Sequence, residues 1–299
     1  MRKHNVAAGV VLAALIFLLP ARSQTRLPDG QADKPRSPDP TKPGLDGWGR
    51  PITPLAKDPK SAPARRHDIS GIWDAGDTSG IQPLGAKAFP DDGKPDHQPP
   101  YTALGLEMLK RTKPSNGTRS VLPGENNDPV FTFGDPQGFP REDLYELRST
   151  QILQRPRNVV ILYQFAKVWR VIWTDGRELP KDPEPRWYGY SLGKWVDDYT
   201  LVVETVGTDE RTWIDRAGRP HSADLRVEER FRRIDQKHLE LTVTIDDPKM
   251  YTKPWVALDK FVFELQPETF DVREMIWSPS EYQEYNKLMG NTPGDNDSH

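Results

Sequence analysis

The chain has 299 residues, 41 of them basic and 44 acidic, and its formal net charge is −3. This balance excludes the strongly basic surface by which proteins bind nucleic acids. No cysteine is present, so a folded domain must be held by burial of a sizeable core rather than by disulfide bonds.

The first 23 residues have the three parts of a secretory signal peptide. Arg2 and Lys3 precede an apolar or small run from Val6 to Leu19, and small residues lead to a cleavage position after Ser23. This run is shorter than the about 20 apolar residues of a membrane-spanning helix, so we expect cleavage and no stable membrane anchor; an uncleaved anchor is the alternative. The mature protein is then secreted or periplasmic, with a charge of −6 that predicts binding neither to nucleic acid nor to an anionic membrane.

Residues 24–66 form a proline-rich segment with few large apolar side chains, which predicts a disordered linker. The remaining residues 67–290 are long enough for one β-barrel domain. Its entry, residues 67–143, is irregular and rich in turn residues, with a first strand near Gly71–Trp73 and a helix predicted over Tyr101–Lys110.

Alternating apolar residues and tight turns dominate residues 144–277. Residues 278–290 predict a short helix, and residues 291–299 a loose tail. Eight or nine strands joined by short turns predict an all-β fold, an antiparallel up-and-down meander that closes into a barrel; a two-layer sandwich is the alternative. After the first strand, the predicted strands are Asn158–Phe165, Lys167–Trp173, Gly189–Trp195, Thr200–Val206, Leu225–Ile234, Leu239–Ile245, Asp259–Leu265 and Asp271–Trp277.

The triplet Gly71-Ile72-Trp73 resembles the Gly-x-Trp motif at the first strand of lipocalin and calycin barrels. That resemblance implies that Trp73 caps the closed end of a barrel.

The chain also resembles a group of exported bacterial proteins that share five segments with it. This second resemblance implies export and a common fold, and it implies no particular reaction. The segments are Gly71–Trp73, Asn127–Arg141, Trp187–Tyr190, Thr212–His221 and Ile245–Trp255.

One charged residue interrupts an apolar row on a predicted strand. Period-2 geometry puts Leu225, Val227 and Phe231 on the same face as Glu229, while the opposite face is a row of Arg and Glu. Burial raises the pKa of a carboxylic acid unless an arginine or histidine pairs with it. Glu229 is therefore a candidate catalytic or ligand-binding residue, and the alternative is that it forms a structural ion pair inside the barrel.

The loop Trp213–His221 joins two predicted strands at the rim of the barrel. His221 titrates near neutral pH and is a candidate general acid or base, with Asp215 or Glu229 orienting its ring. The alternative is a hydrogen bond within the loop that holds Asp215 or a backbone carbonyl in place.

Aromatic side chains are concentrated in the strand region and predict an aromatic-lined pocket for a small apolar ligand; the alternative is that they fill the barrel. Arg141 is a further candidate for the pocket, where it would bind an anionic group of the ligand; the alternative is that Arg141 lies on the surface. The sequence contains no zinc or phosphate-loop motif, so no metal or cofactor is predicted. The candidate ligand-binding residues are Arg141, Trp169, Trp173, Trp187, Tyr188, Tyr190, Trp213 and Tyr251.

Three functions are compatible with these features. The first is an exported barrel that binds a small hydrophobic or aromatic molecule, and the second is a cofactor-independent hydrolase or isomerase that uses His221 with Asp215 or Glu229. Both predict an open cavity with these groups at its wall. The third is a structural protein of the cell envelope, which predicts a filled barrel and an exposed apolar patch. Protein partners are not identified by the sequence.

Overall fold

The computed structural model describes residues 62–75, 93–115, 117–145, 147–276 and 278–288. The predicted signal peptide, all but the last residues of the linker, and the predicted loose tail lie outside these ranges.

Nine strands form one closed barrel in which each strand pairs with its neighbours in the chain and β9 pairs with β1. The predicted all-β barrel is confirmed, and the two-layer sandwich is excluded. The strands are β1 (Gly71–Asp74), β2 (Thr150–Arg155), β3 (Asn158–Tyr163), β4 (Trp169–Trp173), β5 (Tyr190–Trp195), β6 (Thr200–Val206), β7 (Arg226–Arg233), β8 (His238–Asp246) and β9 (Trp255–Gln266).

The prediction of a purely antiparallel meander is wrong at one place, because β4 and β5 are parallel. An odd number of strands cannot close into a ring with every neighbouring pair antiparallel, so nine strands require one parallel pair. The connection between them, residues 174–189, has the length that a parallel crossover needs.

The predicted strand Asp271–Trp277 is also wrong. Residues 271–276 carry only one isolated bridge, between Met275 and Phe165, and Trp277 lies outside the described residues. The last strand is instead a single segment of 12 residues, β9. Since β1 takes the free edge of β9, the ring is closed and offers no edge for a further strand.

Besides the strands, the described residues form four α-helices: α1 (Ala103–Arg111), α2 (Pro129–Phe133), α3 (Arg141–Leu144) and α4 (Pro279–Leu288). The first and last are in the regions where helices are predicted. The side chain of Thr102 caps α1 by accepting a hydrogen bond from the N–H of Gly105 at 3.0 Å. Among the described helices, none has both the length and the apolar composition needed to cross a membrane.

The two ends of the barrel differ. At the lower rim, short turns join β2 to β3, β5 to β6 and β7 to β8. The upper rim, where β6 ends and β7 begins, carries the β6–β7 loop, residues 207–225, and the described parts of the long segment between β1 and β2. Functional groups are usually found on such long connections held by a rigid scaffold.

Candidate functional site

The interior of the barrel is filled by side chains. Its internal cavity measures about 10 Å³, which is room for about one water molecule. Trp73 is fully buried, donates a hydrogen bond from Nε1 to the carbonyl of Ile69 at 2.9 Å, and lies under the guanidinium of Arg233, 4.7 Å from the ring centre. The hollow that interior ligand binding requires is therefore not present in the described structure.

A buried ionic cluster lies inside the barrel, and we call Asp143, Arg170, Glu229 and Tyr163 the barrel cluster. Arg170 Nη2 donates a hydrogen bond to Glu229 Oε2, and Arg170 Nη1 lies 4.0 Å from Asp143 Oδ2. The guanidinium also stacks on Phe139, 3.9 Å from the ring centre. The exposed fraction of all three charged residues is 3% or less.

Burial controls the ionisation of this cluster. It raises the pKa of Glu229 to about 8, because the loss of hydration outweighs the attraction of Arg170, and the nearby Asp143 raises it further. The pKa of Asp143 is raised for the same reason and is lowered in part by Arg170. Two carboxyl groups beside one guanidinium therefore retain one proton between them near neutral pH.

His221 is part of the hydrogen-bonded interior of the β6–β7 loop. Its Nε2 lies 2.8 Å from the hydroxyl of Thr212, and its Nδ1 lies 3.1 Å from the carbonyl of Ser222. Burial lowers its pKa, so the ring is neutral at pH 7. In the part of the chain that the structure describes, neither Asp215 nor Glu229 hydrogen-bonds to it, which is the arrangement expected of a loop-holding histidine.

Asp215 and Asp247 fix the same loop from two sides. Asp215 accepts hydrogen bonds from the backbone N–H groups of Ala217 at 3.0 Å and Arg219 at 3.4 Å, and burial raises its pKa against the opposing effect of Arg219. Asp247 accepts hydrogen bonds from the N–H of Ser222 at 2.6 Å and from its hydroxyl at 2.9 Å. The loop is therefore a rigid wall rather than a mobile lid.

A pocket of 230 Å³ opens on the outside of this wall, and we call it the rim pocket. Arg119 spans it: its guanidinium donates hydrogen bonds to the carbonyls of Leu109 and Ala217, both at 2.6 Å. The guanidinium groups of Arg119 and Arg219 and the carboxylate of Asp215 all act electrostatically on the hydroxyl of Tyr101. The pocket is lined by Gly93, Gln98, Tyr101, Leu109, Thr118, Arg119, Ala217 and Arg219.

Three of the predicted ligand-binding residues, Arg141, Trp213 and Tyr251, are buried and do not line the rim pocket. Arg141 is fully buried, pairs with both carboxylate oxygens of Asp128 at 2.8 and 2.6 Å, and lies over the ring of Trp213 at 5.6 Å. The hydroxyl of Tyr251 donates a hydrogen bond to the carbonyl of Pro220 at 2.8 Å. These side chains support the wall and do not line the pocket.

The other five predicted ligand-binding residues lie elsewhere. Trp169 is 63% exposed on the outer surface, on the same strand face as Trp173. Trp187 and Tyr190 are half-buried under the guanidinium groups of arginines, and Tyr188 is packed against the core. The structure therefore does not bring the predicted aromatic residues together around one cavity.

Sequence reasoning missed Arg170, although a signal was present. Glu229 on an inward strand face requires a cation that also points inward. Arg170 alternates with Ile172 on β4 and is the residue that period-2 geometry turns inward when Trp169 and Trp173 turn outward. Arg119 and Tyr101 carried no such signal, because only the tertiary fold brings them to the β6–β7 loop.

The described residues contain no group of three or more His, Cys, Asp or Glu side chains placed to hold a metal ion. No protein-family profile, curated protein or solved structure matches this chain. Function must therefore be argued from the site itself.

Proposed function

We propose that this chain is an exported binding protein that takes a small aromatic or apolar carboxylate in the rim pocket. The observation that carries the proposal is the pocket itself: a 230 Å³ depression where two guanidinium groups and one phenol ring meet on a rigid wall. Guanidinium groups bind carboxylates through charge-assisted hydrogen bonds and by electrostatic attraction.

Different residues of the lining suit the two parts of such a ligand, its carboxylate and its apolar group. Arg119 and Arg219 provide positive potential, which Asp215 offsets only in part, while Tyr101 and Leu109 provide an aromatic and an aliphatic wall. Most of the donors of Arg119 already bond to backbone carbonyls, so its contribution is mainly its charge and its fixed position. The basic and apolar sequence of the first 19 residues supports export.

We place the ligand at the rim because side chains fill the interior of the barrel. The enzyme alternative requires a histidine oriented by a carboxylate, whereas His221 bonds to a hydroxyl and a backbone carbonyl. The geometry therefore favours binding over acid–base catalysis.

The test is a calorimetric titration of the protein with small aryl and alkyl carboxylates, each paired with its neutral amide. We expect the acids to bind about 10-fold or more tightly than the amides, because the amide loses the charge-assisted interaction. Thr118→Trp places a large ring at the mouth of the pocket and should abolish binding. Ser120→Trp, two residues away and outside the pocket lining, should retain it. Equal binding of acids and amides, or equal binding by the two variants, contradicts the proposal.

A further inference from the structure

The outer surface of the barrel has two different halves. On β7 and β8 the outward residues are mostly charged or polar, as in the row Arg226, Glu228, Arg230 and Arg232. On β2, β3 and β4 most of the outward residues are apolar, and the polar exceptions are Gln151, Arg155 and Asn158. We call Leu153, Val160, Leu162, Trp169 and Val171 the apolar face.

Strand pairing makes the apolar face continuous. Leu153 lies opposite Val160, and Val160 lies opposite Val171 on the next strand. Leu162 lies opposite Trp169 in the same pairing. Leu153 is 44% exposed and Trp169 is 63% exposed. Such a contiguous apolar surface on a soluble barrel costs solvation free energy and marks an interaction site.

Basic side chains lie at the edges of the apolar face. None of the outward positions on the described strands β2 to β5 is acidic. At the lower edge, the carboxylate of Asp175 is bonded by both Arg157 and Arg177, and the exposed Glu178 follows in the connection to β5. On the side nearest Leu162, a groove is bordered by Lys167 and by two acids, Glu268 and Asp271. The basic residues at the edges are Arg155, Arg157, Lys167, Arg177 and Lys194.

We propose that the apolar face docks this protein peripherally on an anionic phospholipid surface. A tryptophan ring with its polar N–H is suited to the boundary between acyl chains and headgroups, and arginine or lysine beside it is attracted to lipid phosphate. Fluid lipid conforms to the convex outside of a barrel, whereas a protein partner needs a matching concave surface. A second copy docked through the same face brings two basic edges together, which opposes self-association.

This inference is independent of the rim pocket, which lies on other elements. It differs from the expectation drawn from the net charge, because that sum covers all residues and takes no account of where the charges lie on the surface. The filled barrel and the exposed apolar patch are also the two features that the envelope alternative predicts.

The first measurement is sedimentation of the full chain with vesicles of phosphatidylcholine alone, or of phosphatidylcholine with an equal part of phosphatidylglycerol. We expect binding to the anionic vesicles that weakens as salt is raised, and much weaker binding to the neutral ones. Leu153→Gln and Trp169→Gln should each weaken binding about 10-fold, because each removes apolar surface that lipid covers. Val262→Gln is the matched control, since Val262 is a 42% exposed residue on the outer surface of β9.

The second measurement keeps the apolar ring and changes only the spectroscopic signal. Brominated phosphatidylglycerol should quench part of the tryptophan emission of the wild-type chain. The Trp169→Phe variant should lose that part while still binding.

Lys194→Glu should reduce vesicle binding, while Arg226→Glu on the charged half of the barrel should not. Equal vesicle binding by wild type, Leu153→Gln and Trp169→Gln places the membrane contact in another part of the chain and overturns the proposal. Self-association without vesicle binding also overturns it and identifies a second copy as the occupant.

Discussion

The sharpest prediction concerns the proton held inside the barrel. Glu229→Gln replaces a fully buried carboxyl group by a neutral group of the same shape, beside Arg170 and Asp143. The ordinary pKa of a glutamic acid is 4.5, and burial raises that of Glu229 to about 8. Between these values the folded chain holds a proton that the unfolded chain has released.

The sign of the pH dependence follows from that difference. A proton bound only by the folded state stabilises it, fully below pH 4.5 and progressively less as the pH rises to about 8. The contribution changes by on the order of 1 kcal/mol per pH unit for one proton. Since the glutamine variant lacks this term, the free energy of unfolding of Glu229→Gln minus that of the wild type should increase steadily from pH 5 to pH 8.

Urea unfolding followed by tryptophan fluorescence at several pH values measures this difference, because all other titrating groups are common to both chains. Asp143→Asn should show a pH trend of the same sign, since the two carboxyl groups share the proton. Glu228→Gln, on the outer side of the same strand, is the matched control for the loss of a carboxylate at the surface. If the difference in the free energy of unfolding between Glu229→Gln and the wild type is constant from pH 5 to pH 8, Glu229 is ionised throughout and the reasoning is refuted.

Three further predictions test the upper rim. Arg141→Met leaves Asp128 as an unpaired buried charge and should cost about 3–5 kcal/mol in urea unfolding, of which Asp128→Asn in the same chain should recover part. Gly105→Ala adds a Cβ atom 2.1 Å from the carbonyl oxygen of Met250, so α1 must move; a fall in the thermal midpoint by several degrees is expected, and an unchanged midpoint contradicts the packing. His221→Gln should remove a loss of stability that the wild type shows below about pH 6.5, where the unfolded chain takes up a proton that the buried ring does not.

The strand region shows how far the sequence determines this fold. Strands β3 to β8 follow from their alternating residues, because each pattern is local and the barrel buries one side of every strand. The segment Asp271–Trp277 has the same alternation, but its described residues, 271–276, do not form a strand, because β1 closes the ring on β9. The parallel pairing of β4 with β5 is likewise a property of the closed ring of nine strands and not of any one segment.

The candidate site is less predictable from the sequence for the same reason. Alternation correctly places Glu229 among apolar inward residues, and the inward cation on β4 can be derived once the direction of Trp169 is known. The rim pocket requires Tyr101 and Arg119 to meet Arg219 across about 100 residues of chain, and no local pattern encodes that contact. Long-range packing, rather than secondary structure, therefore determines where a ligand can bind.

On β4 the usual distribution of polar and apolar groups is reversed for two neighbouring residues. Arg170 is buried on β4 while Trp169, the residue before it, is exposed, although exchanging their directions would bury the ring and hydrate the charge. Desolvating an ion pair and exposing an indole ring both cost free energy, and departures of this kind are expected where a surface or a cluster has a function. The two costs have one geometric origin, since Glu229 draws Arg170 inward and strand alternation then turns Trp169 outward. Replacing Arg170 and Glu229 together by leucine should therefore leave vesicle binding by Trp169 unchanged if the surface function is separate from the interior charge.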